Sequence, residues 1–165
     1  MGCLTMSEAW HRVVFDCNVF AGGLINPTGS AGECIERVLD GELVLFLSEF
    51  VIGEIRRIPQ KETPRRLGVT DEKVQALLSR LLPVCHLVEN PPSVYQHPID
   101  PKDSHYVDLA VASDAKLIVS RDKHLLNLSD ASKPGAAEFI AQFPQLQVLD
   151  PAQLLKMLRS RRGDQ

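Results

Sequence analysis

Unbroken apolar runs, each separated from the next by a helical pattern, constrain this chain more than any other feature. The runs are "RVVF" (12–15), "LVLFL" (43–47), "VCHLV" (84–88) and "KLIVS" (116–120), and "LQVLD" adds another near the end. A strand with one wet face alternates apolar and polar residues, whereas a run that is apolar throughout has both faces covered. Between the runs, "SAGECIERVLDGE" sets Cys34, Ile35, Val38 and Leu39 at helical spacing, with Gly41 as a stop. "SEFVIGEIRRI" (48–58) opens on Ser48, a good N-cap, and closes before Pro59. Thr70 caps "DEKVQALLSRLL", whose first turn carries two acids where the helix dipole favours them. "IDPKDSHYVDLAVASDA" starts a helix with Asp100 as cap and Pro101 at the first helical position, and Asp150–Pro151 repeats that start before the last helix. This alternation predicts a three-layer α/β/α fold with a central parallel sheet and right-handed crossovers.

The length, 165 residues, suits one domain, expected over 12–158, with an extension at 1–11 and a basic tail at 159–165. A formal net charge of −3 excludes a wholly basic surface, so any nucleic-acid site must be a local patch. No apolar run approaches the roughly eighteen residues of a membrane span. The opening "MGCLTMSEAWHR" lacks the charged lead and apolar core of a secretory signal. Its Met-Gly-Cys start hints at lipidation, but Met6 stands where a Ser or Thr is wanted. Cys3, Cys17, Cys34 and Cys85 are scattered without a Cys-x-x-Cys pair, which fits reduced thiols in a cytoplasmic protein.

Ligands of such folds bind beyond the carboxyl ends of the strands. Asp16, in "RVVFDCNVFAGG", ends the first strand and is expected to lead into a loop rather than a helix; Asp122, in "LIVSRDKHLL", lies just past the fourth. Glu54 falls inside the stripe formed by Phe50, Val51, Ile55 and Ile58, where a carboxylate is costly unless a donor or cation meets it. A local arginine, Arg57 or Arg12, would be such a partner. Asp103 holds the acidic position of a capping box begun by Asp100, yet shares a face with Tyr106, Val107 and Ala110 and so points towards the sheet. Asp100 itself reads as the cap, and Asp108 and Asp114 as solvated helix acids. Four acids at one edge would raise one another's pKa, a conflict that a hard divalent cation, Mg2+ or Mn2+, resolves. His86, His97, His105 and His124 show no ligand spacing and suit surface or local hydrogen-bonding roles. Arg12, Arg56, Arg57, Lys61, Arg65, Arg66, Arg121 and Lys123 are candidate phosphate contacts; "IRRIPQKETPRR" is the dense basic stretch, equally readable as a polar loop.

"VVFDCNVF", "LSEFVIGEI" and "DPKDSHYVDLAVASDAKLIVSRDKHLL" together resemble the PIN domain, and more narrowly the PIN-like proteins assigned as toxins of bacterial toxin–antitoxin systems. The resemblance runs from about Arg12 to the final helix. It implies a parallel sheet flanked by helices and a ribonuclease using Mg2+ or Mn2+, which cuts RNA to leave a 5′-phosphate and a 3′-hydroxyl. It implies metal ligation by Asp16, Asp103 and Asp122, and for Glu54 either ligation or the holding of a metal-bound water. Asn18 and Ser120 would orient ligands or phosphate, and Arg56, Arg57, Arg121 and Lys123 would contact RNA. It further implies a homodimer and a cognate antitoxin that covers the acidic edge. The family often carries another acid two residues past Asp122, where this chain has His124.

The serious alternative is a PIN-like module that binds RNA or a partner without cutting. A haloacid-dehalogenase-like phosphatase needs an Asp two residues after Asp16, where Asn18 stands. A response-regulator receiver needs an Asp that "VCHLVENPP" does not supply.

Overall fold

The computed structural model describes residues 11–161 and 163. The expectations for the extension up to residue 10, and for Arg162, Asp164 and Gln165 in the tail, lie outside the described residues. The chain forms β1 (Arg12–Phe15), α1 (Cys17–Ile25), α2 (Ser30–Leu39), β2 (Val44–Leu47), α3 (Glu49–Arg56), α4 (Glu62–Arg66) and α5 (Asp71–Leu81). It continues through β3 (His86–Leu87), α6 (Ser104–Ser113), β4 (Leu117–Val119), α7 (Lys123–Leu126), α8 (Ala136–Gln142), β5 (Gln147–Leu149) and α9 (Pro151–Arg161).

The five strands are parallel and lie in the order β3-β2-β1-β4-β5. Val13 stands between Leu45 and Leu117, and Phe15 pairs with Val119. From β1 the chain steps outward to β2 and β3, then crosses back to build β4 and β5 on the other side. Right-handed crossovers therefore put α1 to α5 on one face and α6 on the other. The contacts agree: α1 packs on α2, α2 on α9, and α6 lies across β1, β2 and β4. Val13, Val14, Phe15, Leu45, Leu47, Ile118 and Val119 are fully buried between these layers. Burial of each such side chain stabilises the fold by about 1.5–3 kcal/mol. The strand order reverses between β1 and β4, which opens a crevice at their carboxyl ends.

The structure corrects several expectations. "VCHLV" pairs over only two residues, His86 and Leu87, and both are exposed. β3 is an edge strand with one partner, so its apolar run lacks the second covering that the central strands have. No loop follows Asp16: α1 begins at Cys17. Its sequence hides the helix because it is apolar on nearly every side and carries Gly22 and Gly23, poor helix formers. Gly23 lets α2 approach closely: a Cβ there would meet the Cδ1 of Ile35 at 2.5 Å and the Gly32 backbone at 3.3 Å, and the Ile35 side chain would have to turn aside. The stretch after α3 is no polar loop. It folds into a 3-10 turn over Ile58–Gln60 and then α4, with Ile58, Pro59 and Pro64 buried. Asp108 is not solvated: it is buried, and its Oδ1 accepts from Val94 N at 2.8 Å and Tyr95 N at 3.0 Å, which pins the segment leading to α6. α8 was not anticipated, and α9 carries the first residues of the expected tail as far as Arg161.

Candidate metal centre

Asp16 leaves β1 with its amide still in the sheet, donating to Val119 O at 2.9 Å. It occupies the N-cap position of α1, yet its side chain caps nothing. The carboxylate turns instead towards β4, where Oδ2 accepts from Ser120 Oγ at 2.7 Å. Burial pushes the Asp16 pKa above the ordinary value, against the opposing hydrogen bonds of Ser120 and Tyr106. The fully buried Ser120 has a second role: its Oγ accepts from Asp122 N at 2.9 Å, so one hydroxyl ties the ends of β1 and β4 to the start of α7. Asp122 caps α7, accepting from His124 N at 2.9 Å. Asn18 Oδ1 accepts from Arg121 N at 3.1 Å, locking the first turn of α1 to the same bend.

Asp103 ends a 3-10 turn, Pro101–Asp103, at the mouth of α6. It does not close the capping box, because the amide of Asp100 donates to His97 Nδ1 instead. Asp103 is 6% exposed, and its Oδ2 is buried with no hydrogen-bond partner. Its pKa is pushed up to about 7, first by burial and then by the charges of Asp122, Asp16, Asp100 and Glu54. A buried, unpartnered carboxylate oxygen surrounded by acids is expensive, and a cation is the group that would relieve it.

Asp100, Asp103, Asp122 and His124 each offer a ligand atom within 4.8 Å of the others. The sequence alone assigns Asp100 a capping role and His124 a surface or local hydrogen-bonding one. Asp100 does cap, accepting from Lys102 N, and also turns Oδ2 towards His124 Nδ1 at 3.9 Å. His124 stands among the carboxylates, contrary to the expectation that no histidine would compete. The link between its position and Asp100 is tertiary, and sequence spacing carried no sign of it. Asp16 and Glu54 lie outside this tight set, although their charges act on Asp103.

Glu54 sits at the rim, 23% exposed by side chain, rather than facing the core. Its partners are not arginines. His105 Nε2 lies 2.9 Å from Oε1. Tyr106 donates its hydroxyl to the same oxygen at 3.3 Å and accepts from Cys17 N at 3.0 Å. Burial alone would raise the Glu54 pKa, but His105, Lys61 and Tyr106 together hold it below the ordinary value. Tyr106 thus connects Glu54 to the residue beside Asp16, a link legible in sequence only as its shared face with Asp103.

Behind this edge stands His97, almost wholly buried. Its Nδ1 accepts from Ile99 N at 3.1 Å and Asp100 N at 3.0 Å, so the ring proton is assigned to Nε2, which donates to His124 O at 2.9 Å. His97 clamps the Asp100 segment to the Asp122–His124 turn. The sequence suggested only a local hydrogen-bonding role.

Arg56, Arg57, Lys61, Arg65, Arg66, Arg121 and Lys123 are all exposed. Arg12 is not a site residue. At the amino end of β1, its guanidinium donates to Ser113 O at 2.6 Å and Asp114 O at 3.3 Å and lies over the Phe46 ring.

Two comparisons bear on this arrangement. A family model described as PIN domain matches residues 12–124, a span that holds Asp16, Glu54, Asp100, Asp103 and Asp122. "Uncharacterized protein MJ1680" of Methanocaldococcus jannaschii is 27% identical over 149 residues, which cover 84% of this chain and 95% of that protein. Among the described residues, no helix is long and apolar enough to cross a membrane.

Proposed function

The chain belongs to the PIN-domain family, whose members are typically nucleases, and from that premise we propose that it is an endoribonuclease dependent on Mg2+ or Mn2+. The observation that carries the reading is the buried, unpartnered Oδ2 of Asp103 amid Asp16, Glu54, Asp100 and Asp122. An oxygen-rich donor set suits a hard divalent cation. Asp16, Asp103, Asp122 and Glu54 would hold it, with Asp100 and His124 beside them. When bound, such an ion neutralises phosphate charge and activates water for hydrolysis that leaves a 5′-phosphate and a 3′-hydroxyl.

The chain's own residues prepare the edge for this work. Ser120 orients the Asp16 carboxylate and the Asp122 backbone together. Asn18 holds the Arg121 bend, which sets the exposed Arg121 and Lys123 next to Asp122 as phosphate contacts. Glu54, kept ionised by its neighbours, retains its negative charge at neutral pH. Arg56 and Arg57 complete the cationic rim.

The same reading extends to a homodimeric toxin, cytoplasmic, restrained by a cognate antitoxin that places a basic side chain among the acids. Arrest of growth on expression, absent for Asp103→Asn, tests that extension.

The decisive assay is cleavage of a mixed RNA pool by the purified chain, with Mg2+ or Mn2+ and with chelator, alongside Asp16→Asn and Asp103→Asn. Metal-dependent cutting that disappears in the folded variants supports the proposal. RNA bound but left intact with either metal would replace it with the non-catalytic module.

A further inference from the structure

Phe50 belongs by spacing to the apolar stripe of α3, yet it is 52% exposed while Val51 and Ile55 are buried. Its exposed companions on the helix, Glu49 and Arg56, are charged. The ring does not hang free. It leans against His105 with centroids 3.9 Å apart and planes inclined at 48°, and His105 leans against Tyr106 at the same separation and 40°. Those are the two side chains that meet Glu54, so the outermost ring of this cluster stands beside the acidic edge.

On a helix, positions three, four and seven residues after Phe50 share its face. They are Gly53, Glu54 and Arg57. Gly53 has no side chain, and the Arg57 guanidinium folds back to within 3.4 Å of where a Cβ would stand. Lys61, exposed in the turn that follows α3, lowers the pKa of both Glu54 and Cys17 by its charge. A half-open aromatic ring with an acid and an arginine on its helix face combines the stacking surface and the positive charge that hold an unpaired strand. A protein partner would favour a contiguous apolar patch over one ring among charges.

We propose that Phe50 is a stacking platform for one unpaired base of single-stranded RNA entering the acidic edge, with Arg57 and Lys61 meeting the adjoining phosphate. The proposal rests on the nuclease reading and assigns Phe50 as a positioning residue for the strand that reaches the acids.

The test uses the full chain carrying Asp16→Asn to suppress cleavage, and a short fluorescein-labelled single-stranded RNA read by anisotropy. Adding Phe50→Ala should weaken binding roughly 5- to 150-fold, the range of base–aromatic stacking, and Phe50→Trp should restore it. Binding of a duplex of the same sequence should not change. Arg57→Ala and Lys61→Ala should each weaken binding and flatten its salt dependence. Unchanged single-strand binding by Phe50→Ala overturns the proposal, as does equal loss for duplex and single strand. If the unmodified chain still cuts RNA in a metal-dependent way, only the platform falls; if it neither binds nor cuts RNA, the nuclease reading falls with it.

Discussion

Asp103→Asn should stabilise the metal-free protein while removing its response to metal. The Asp103 carboxyl has a pKa near 3.8 in an unfolded chain and about 7 in the fold, raised by burial and four neighbouring acids. Between those values the folded state keeps a proton that the unfolded state has lost. Stability therefore falls as pH rises through that window and stays low above it. At about 1.36 kcal/mol per pH unit the whole interval is worth about 4 kcal/mol. Water reaches the part-exposed Asp100 and Asp122 and screens the cluster, which leaves about 2 kcal/mol. Asparagine keeps the shape without the charge, and its amide can donate to the surrounding carboxylates. In urea unfolding with chelator, the advantage of the variant should therefore be about 2 kcal/mol larger at pH 8 than at pH 4. Groups remote from the cluster titrate in both proteins and cancel. Adding Mn2+ should then stabilise the parent in proportion to ligand occupancy and leave the variant unmoved. An advantage equal at both pH values, or Mn2+ raising both proteins alike, would refute the account of crowded carboxylates awaiting a cation.

Three further outcomes follow from the same geometry. Ser120→Ala removes the donor to Asp16 and the acceptor for the Asp122 amide, and should lower Mn2+ affinity by about 10- to 100-fold in calorimetric titration. His97→Ala strands the amides of Ile99 and Asp100 and should cost about 2 kcal/mol or more in urea unfolding; His97→Asn, whose oxygen can replace Nδ1, should recover part of that. Tyr106→Phe leaves the Cys17 amide without its acceptor, at about 1–3 kcal/mol, and should move the Glu54 titration upward in NMR because one donor is lost.

Local pattern carried much of the architecture. The central strands are legible because both their faces are buried, which demands apolar residues at every position, as at Val13 to Phe15 and Leu117 to Val119. Caps such as Ser48, Thr70 and Asp150 are legible because a cap bonds to amides two or three residues on: Ser48 accepts from Val51 N, Thr70 from Lys73 N and Asp150 from Gln153 N. α1 was not legible, because a helix covered on nearly all sides loses its period and its glycines answer to α2 rather than to helix propensity. β3 was over-read for the opposite reason, since an apolar run on an edge strand looks like one in the centre.

The sequence by itself determined that acids stand after the first and fourth strands and at the start of the late helix, and that the sheet is parallel. Only the tertiary structure decided how they act on one another. Asp16 and Asp122 share one hydroxyl because β1 and β4 are neighbours at the reversal of strand order. Asp100 and His124 join the group because His97 draws their two segments together through backbone hydrogen bonds. Glu54 meets His105 and Tyr106 because α3 and α6 bring their ends to the same edge of the sheet. Strand and helix signals come from residues within a few positions of one another, so they can be read along the chain. Hydrogen bonds and charge contacts between segments separated by scores of residues exist only once the sheet order has brought those segments together.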